Sequence, residues 1–192
     1  MLPLCVLFAL SFIKQPPGIP NLYHMRLSSI IHHLFRRRKT SPVDTTPQKN
    51  IQLHRYMGRW YEQARFENWF EAGLEHVYTD YSLSPEGHLN IVNAGIKESG
   101  ATSSTRGRGI PGGDGRFRVS FVPPYHWFQA PYHILYTDPD YNSALVSGEG
   151  DAYLWLLTRQ ARADNAQIAT LLTEAQQRGF DTSLLHYTIQ EG

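Results

Sequence analysis

Between residues 56 and 160, short runs rich in Val, Ile, Tyr, Phe and Trp are separated by clusters of Gly, Pro, Asn and Asp. Branched and aromatic side chains suit a pleated, half-buried surface, so such runs read as β-strands. The pattern predicts eight strands, at about 59–66, 76–84, 88–97, 101–109, 115–122, 131–138, 143–149 and 152–159. Turn signals sit between most of them: Pro85-Glu86-Gly87, Ser99-Gly100, Pro111 to Gly115, Asp138-Pro139-Asp140 and Gly148 to Asp151. Tight turns between successive strands predict an up-and-down antiparallel meander. Rolling such a sheet shut removes its edges. One helix follows, with Asp164 as N-cap, an apolar stripe of Ile168, Leu171, Leu172 and Ala175, and Gly179 as its stop. The run Leu184 to Ile189 either packs on the barrel or adds a strand to it. The expected architecture is all-β: an eight-stranded up-and-down antiparallel barrel with one C-terminal helix packed outside.

The first fifty residues have a different pattern, which places the barrel domain at 51–190 after an N-terminal segment of 1–50. Residues 2–13 form an apolar run as long as the core of a signal peptide and too short to span a bilayer. No basic residue precedes it, and Lys14-Gln15-Pro16-Pro17 follow where a small-residue cleavage site belongs. Leu27, Ile30, Ile31, Leu34 and Phe35 share one helical face, and Arg36, Arg37, Arg38 and Lys39 close the segment. Residues 25–39 thus fit a basic amphipathic helix lying on a membrane surface. A tail with chance periodicity fits equally well. Residues 40–50 are polar, hold two prolines and read as a linker.

Charge sharpens the division. The chain carries +1 overall, but residues 50–192 hold eleven basic and sixteen acidic residues, a net −5. An acidic body argues against a nucleic-acid partner, which needs a positive face. The single cysteine, Cys5, lies outside the barrel domain. An internal disulfide and a thiol nucleophile in the domain are excluded by count. A lipid on Cys5 would need the apolar run before it, and here the run comes after.

Three segments carry a resemblance. Gly58-Arg59-Trp60 resembles the Gly-x-Trp motif that opens lipocalin barrels. Thr137-Asp138-Pro139-Asp140-Tyr141 resembles the hairpin motif between their sixth and seventh strands. Leu157-Thr158-Arg159 resembles the arginine that ends their last barrel strand. The longer stretches Gly58–Phe66, Phe70–Glu75 and Gly179–Asp181 are most similar to bacterial outer-membrane lipocalins and to apolipoprotein D. The resemblance implies structural roles for Gly58, Trp60, Thr137, Asp138, Tyr141 and Arg159, with Trp60 plugging the closed end under the Arg159 cation. It implies binding, storage or transport of hydrophobic ligands, fatty acids or lysophospholipids, for membrane maintenance. It also implies membrane association at the periplasmic face of the outer membrane. The N-terminus departs from those relatives, which carry a lipidated cysteine after their signal peptide.

Alternation along the strands then selects candidate ligand contacts, each in competition with plain core packing. Counting from Arg159, Leu157, Trp155 and Tyr153 point inward. The fifth strand contributes Phe117, Val119 and Phe121. The sixth contributes Tyr132, Ile134 and Tyr136, and the second contributes Val77, Thr79 and Tyr81. Phe66, Trp69 and Phe70 are expected over the open end. Loop 123–128 reads as an apolar patch for a membrane or a homodimer partner, or as a bottom cover. A haem or other cofactor carrier is the alternative, through His76, His88, His126, His133 or His186; parity turns His133 outward. No catalytic residues, cofactor or metal are expected. No Ser-His-Asp set or carboxylate pair stands out, and the isomerases of this family use a cavity cysteine that is missing here.

Overall fold

The computed structural model describes residues 42–121, 129–148 and 150–190. All of them belong to one compact unit, Thr40–Gly192. The expectations for residues 1–39, Cys5 and loop 123–128 lie outside the described residues.

A short helix, α1 (Leu53–Tyr56), enters β1 (Gly58–Phe66). A meander follows: β2 (Leu74–Leu83), β3 (Leu89–Lys97), β4 (Thr102–Pro111), β5 (Arg116–Ser120), β6 (Ala130–Thr137), β7 (Ser143–Ser147) and β8 (Leu154–Thr158). Then come α2 (Asn165–Gln177), a 3₁₀ turn at Thr182–Leu184 and β9 (Leu185–Tyr187). Every neighbour in the order β2 to β8, then β1, is hydrogen-bonded, and β1 also pairs with β2, so eight antiparallel strands close into a barrel. Strand limits shift by at most two residues from those expected, and α1 carries no strong sequence signal. The run at 184–189 does add a strand, β9.

Closure depends on β1. Its lower half pairs directly with β2, from Gly58 opposite Tyr81 to Tyr61 opposite Tyr78. Above that point the two strands part, and β9 pairs with β1 from Ala64 to Phe66. The C-terminal segment then bridges to β2 through the His76 amide, which donates to the Ile189 carbonyl at 2.8 Å. The Gln190 side-chain amide donates to the Glu62 and Val77 carbonyls, both at 2.8 Å.

Two cores result, one inside the barrel and one beneath the helix. Inside, Tyr56, Trp60, Tyr81, Ile91, Phe117, Tyr132, Ile134, Val146 and Leu157 pack together. Outside, Leu171, Ala175 and Phe180 cover Ala64, Phe66, Leu135, Leu145, Leu154 and Leu156. Asp164 caps α2 in a full capping box with Gln167, satisfying the free amides of its first turn.

The closed end is tied by Arg159. Its guanidinium carbon lies 3.9 Å from the Trp60 ring centroid. Its nitrogens donate to the carbonyls of Arg59 (2.7 Å), Arg55 (2.6 Å) and Tyr141 (3.2 Å). One side chain therefore joins β1, α1 and the β6–β7 turn. Gly58, at φ +93°, would place a Cβ only 3.4 Å from the Arg159 Nη1, in a conformation other residues avoid. In the β6–β7 turn, Asp138 accepts the amides of Asp140 and Asn142 and the Ser143 hydroxyl. Arg159→Ala removes a cation–π contact and three hydrogen bonds, so urea unfolding should show a loss of about 3 kcal/mol. Arg159→Lys should recover little of it, because one ammonium cannot span three carbonyls. A loss under about 1 kcal/mol would refute the latch.

Candidate functional site

The barrel interior has a packed floor and a more open upper part. The floor is aromatic. The Tyr132 hydroxyl lies 2.7 Å from the Tyr56 hydroxyl and 2.8 Å from that of Tyr81, forming a buried chain of three. Burial pushes all three phenols well above their ordinary range, so they stay neutral donors and acceptors. The Trp60 indole donates to the Tyr56 carbonyl at 2.8 Å. The floor thus leaves these polar groups satisfied without water.

Above the floor, inward positions become accessible. Leu89 and Ile91 on β3 are buried, but Asn93 on the same face is half-buried. On β4, Gly109 is buried, Gly107 is half-buried and Thr105 is exposed. Gly107 matters here: a Cβ would sit 2.7 Å from the Phe121 ring, so glycine lets that ring lie across β4 inside the barrel. Phe121 and Trp155 are only partly buried and form the apolar rim of the floor. Tyr153 stacks on Trp155 with centroids 5.8 Å apart and planes at 8°. The Phe70 ring lies 6.1 Å from Tyr153.

A buried polar network lines the other side, at the seam between β1 and β2. Arg65 is fully buried and donates to Glu62 Oε1 at 2.6 Å, to Thr188 Oγ1 at 3.2 Å and to the Glu71 carbonyl at 2.9 Å. Glu71 comes from the β1–β2 loop and reaches inward. Its carboxylate accepts from Asn68 (2.6 Å), Asn93 (3.0 Å) and the Trp155 indole (3.0 Å). Of these two buried carboxylates, only that of Glu62 bonds the guanidinium directly. Burial, aided by the Glu71 charge and opposed by Arg65, pushes the Glu62 carboxyl up to about 7.

The structure sorts the expected contacts into three groups. Trp155, Phe121, Val119, Ile134 and Tyr81 face the interior, the last three within the packed floor. Tyr153 sits at the rim. Phe66, Tyr136 and Trp69 are corrections. A β-bulge between Glu62 and Ala64 reverses the parity of β1, so Arg65 turns inward and Phe66 packs outside against Phe180, 6.2 Å away. A second irregularity between Ile134 and Tyr136 turns Tyr136 to the outer core. Trp69 is 82% exposed and contacts the Phe70 edge rather than the interior. The Trp155 N–H points to Glu71 and is bonded to its carboxylate. Glu71, Asn68 and Thr188 were missed because acids and amides in loops normally read as solvated. The inward parity of Glu62 was the one available signal. Outside the barrel, a shallow hollow of about 310 Å³ lies where β1 and β2 part. Arg59 lines it, stacked 3.8 Å over Tyr78 and held by Asp80.

A closed eight-stranded antiparallel barrel with an aromatic plug, an arginine latch and an outer helix defines the lipocalin class. The lipocalin-like domain family matches residues 51–190, and the chain belongs to the lipocalin family. It is 35% identical over 157 residues to the outer membrane lipoprotein Blc of Escherichia coli strain K12, covering 80% of this chain and 87% of that protein. It is 27% identical over 159 residues to apolipoprotein D of Macaca fascicularis, covering 75% and 79%. Among solved structures, lobster apocrustacyanin A1 superposes with a TM-score of 0.62 at 20% identity, over 79% of this chain and 92% of that one.

The network makes a pH prediction. Glu62 ionises near 7 in the folded chain against an ordinary 4.5. Between those values the folded state holds a proton that the unfolded state has released, so stability falls as pH rises through the window. The loss attributable to Glu62 should reach about 3 kcal/mol by pH 8 and vanish on acidification. Glu62→Gln should remove that slope and unfold later than the parent at pH 8. Parallel pH–stability curves for the two proteins would contradict it.

Proposed function

We propose that this chain binds and carries single-chain hydrophobic ligands, fatty acids or lysophospholipids, in the upper part of its barrel, in the service of membrane maintenance. The carrying observation is that Phe121 and Trp155 face the interior of a closed barrel yet remain partly exposed, next to an exposed inward Thr105. Apolar rings facing an opening inside a barrel are a ready surface for an acyl chain. Each buried CH₂ contributes about 0.8 kcal/mol, enough in a lipid-length chain for micromolar affinity after ordering costs. Tyr81, Val119 and Ile134 form the surface on which the chain end would rest, and Tyr153 flanks it at the mouth. The polar end stays toward water at the mouth, because the inward Arg65 guanidinium is already bonded to Glu62, Thr188 and the Glu71 carbonyl.

The role is binding rather than chemistry, as in a family of carriers. The name of the Escherichia coli relative supports a place at the outer membrane. A homodimer belongs to this reading without a structural argument of its own. The haem alternative draws no support from the described residues. His133 lies on the outward face of β6, beside inward Ile134. His186 lies on β9, between Glu67 and Glu75. His126 lies outside the described residues.

Fluorescence titration with a single-chain lysophospholipid and with a fatty acid should give saturable one-to-one binding. Trp155→Ala and Phe121→Ala should each weaken it about tenfold, as expected when a large ring contact of about 1.4 kcal/mol is lost. Tyr136→Ala, on the outer face, should leave affinity unchanged. No saturable binding, or equal effects of inner and outer substitutions, would defeat the reading.

A further inference from the structure

The barrel wall is electrically polarised. Strands β3 to β7 contain five basic residues, Lys97, Arg106, Arg108, Arg116 and Arg118, and no Asp or Glu. This stands within a domain of net −5. Acids flank this wall at hairpin tips, among them Glu86, Glu98, Asp114, Asp138 and Asp140, and on the adjoining β2, where Asp80 is held by Arg59 and Glu75 contacts His186.

The four arginines share one side of the sheet. Phe117 and Val119 point into the barrel, so Arg116 and Arg118 point out. A Cβ on Gly109 would meet Leu89 and Val119 inside, so Arg108 and Arg106 also point out. All four are exposed. Arg118 is paired with Ile110, and Arg108 with Ser120 on the adjoining strand, so the groups form one patch across β4 and β5. Arginines that hold carboxylates, namely Arg59 with Asp80, Arg65 with Glu62 and Arg178 with Asp44, all lie off this wall. Among the described residues, Arg106, Arg116 and Arg118 have no ion pair, and Arg108 contacts the His88 ring.

We propose that this β4–β5 arginine face docks the barrel side-on against an anionic phospholipid surface. Guanidinium groups bind phosphate oxygens bidentately and are weakly hydrated, which suits them to a lipid headgroup layer. Aliphatic and small polar residues alternate with them: Val92 lies opposite Arg106, Ile110 and Pro131 flank Arg118, Asn90 and Ser120 flank Arg108, and His133 lies opposite Arg116. Aliphatic groups interleaved with arginine suit the boundary of headgroup and acyl chain. Nucleic acid is the weaker match, since β3, β4 and β5 carry no outward aromatic ring to stack on bases, and the outward Tyr136 of β6 packs against the outer core. The docking is independent of what fills the barrel.

The test is flotation of the full chain with phosphatidylcholine vesicles, with and without phosphatidylglycerol. The parent should bind the phosphatidylglycerol vesicles more strongly, with binding that weakens as salt rises. The triple variant Arg106→Gln, Arg116→Gln, Arg118→Gln should lose at least about tenfold in that binding. Arg162→Gln, an exposed arginine off the wall, should behave like the parent. The same comparison with glutamine at positions 36–39 in both chains takes the basic N-terminal run out of the result and should show the same loss. An unchanged unfolding midpoint and unchanged lysophospholipid affinity in the triple variant separate this idea from the fold and from the cavity reading. The proposal is overturned if the triple variant floats like the parent, or like Arg162→Gln. It is also overturned if the substitutions abolish binding to an oligonucleotide and leave vesicle binding intact.

Discussion

Everything in this molecule follows from how β1 closes the sheet. That strand meets β8 along one edge and two partners along the other, β2 below and β9 above. Direct closure below brings Trp60 and Tyr81 face to face with the floor tyrosines and excludes water there. Indirect closure above leaves a seam filled by the C-terminal segment. Because closure leaves each strand one inward and one outward face, it also decides which side chains meet a ligand, the helix or solvent.

The seam explains the charged interior. Where β1 and β2 part, backbone and side-chain polar groups need partners, and Thr188, Gln190, Glu62 and Arg65 supply them. Glu71 extends the same network to the far wall through Asn93 and Trp155. Buried charge is costly unless paired and hydrogen-bonded, and here nearly every oxygen has a donor. Burial, with the nearby Glu71 charge adding to it, appears as the raised Glu62 ionisation. The loop that carries Glu71 is thereby fixed to the barrel interior while its Trp69 stays in water. The interior therefore combines an apolar rim with a polar wall, a combination suited to an amphiphile.

The fold was legible in the sequence to a high degree, and the reasons are local. Alternating strands broken by Gly and Pro turns, the Asp164 cap and the Gly58, Asp138 and Arg159 motifs each act through short-range geometry. The site was legible only where alternation runs unbroken. Val119 on β5, Tyr81 on β2, and Trp155 and Leu157 on β8 follow the period of two. Phe66 and Tyr136 do not, because a bulge inserts one residue and turns the rest of the strand over. Nothing in composition marks those bulges. Glu71 escaped for a different cause: its partners Asn68, Asn93 and Trp155 come together only once the barrel has closed.

The central claim is that an acyl chain lies inside the barrel, above the tyrosine floor and against Phe121 and Trp155. It is tested most directly by photolabelling with a lysophospholipid that carries a diazirine in its chain, followed by peptide mapping of the adducts. The account predicts label on Thr105, Phe121 and Trp155, and none on Phe66 or Tyr136. Label confined to the outer face, or no label that free lysophospholipid competes away, would contradict it.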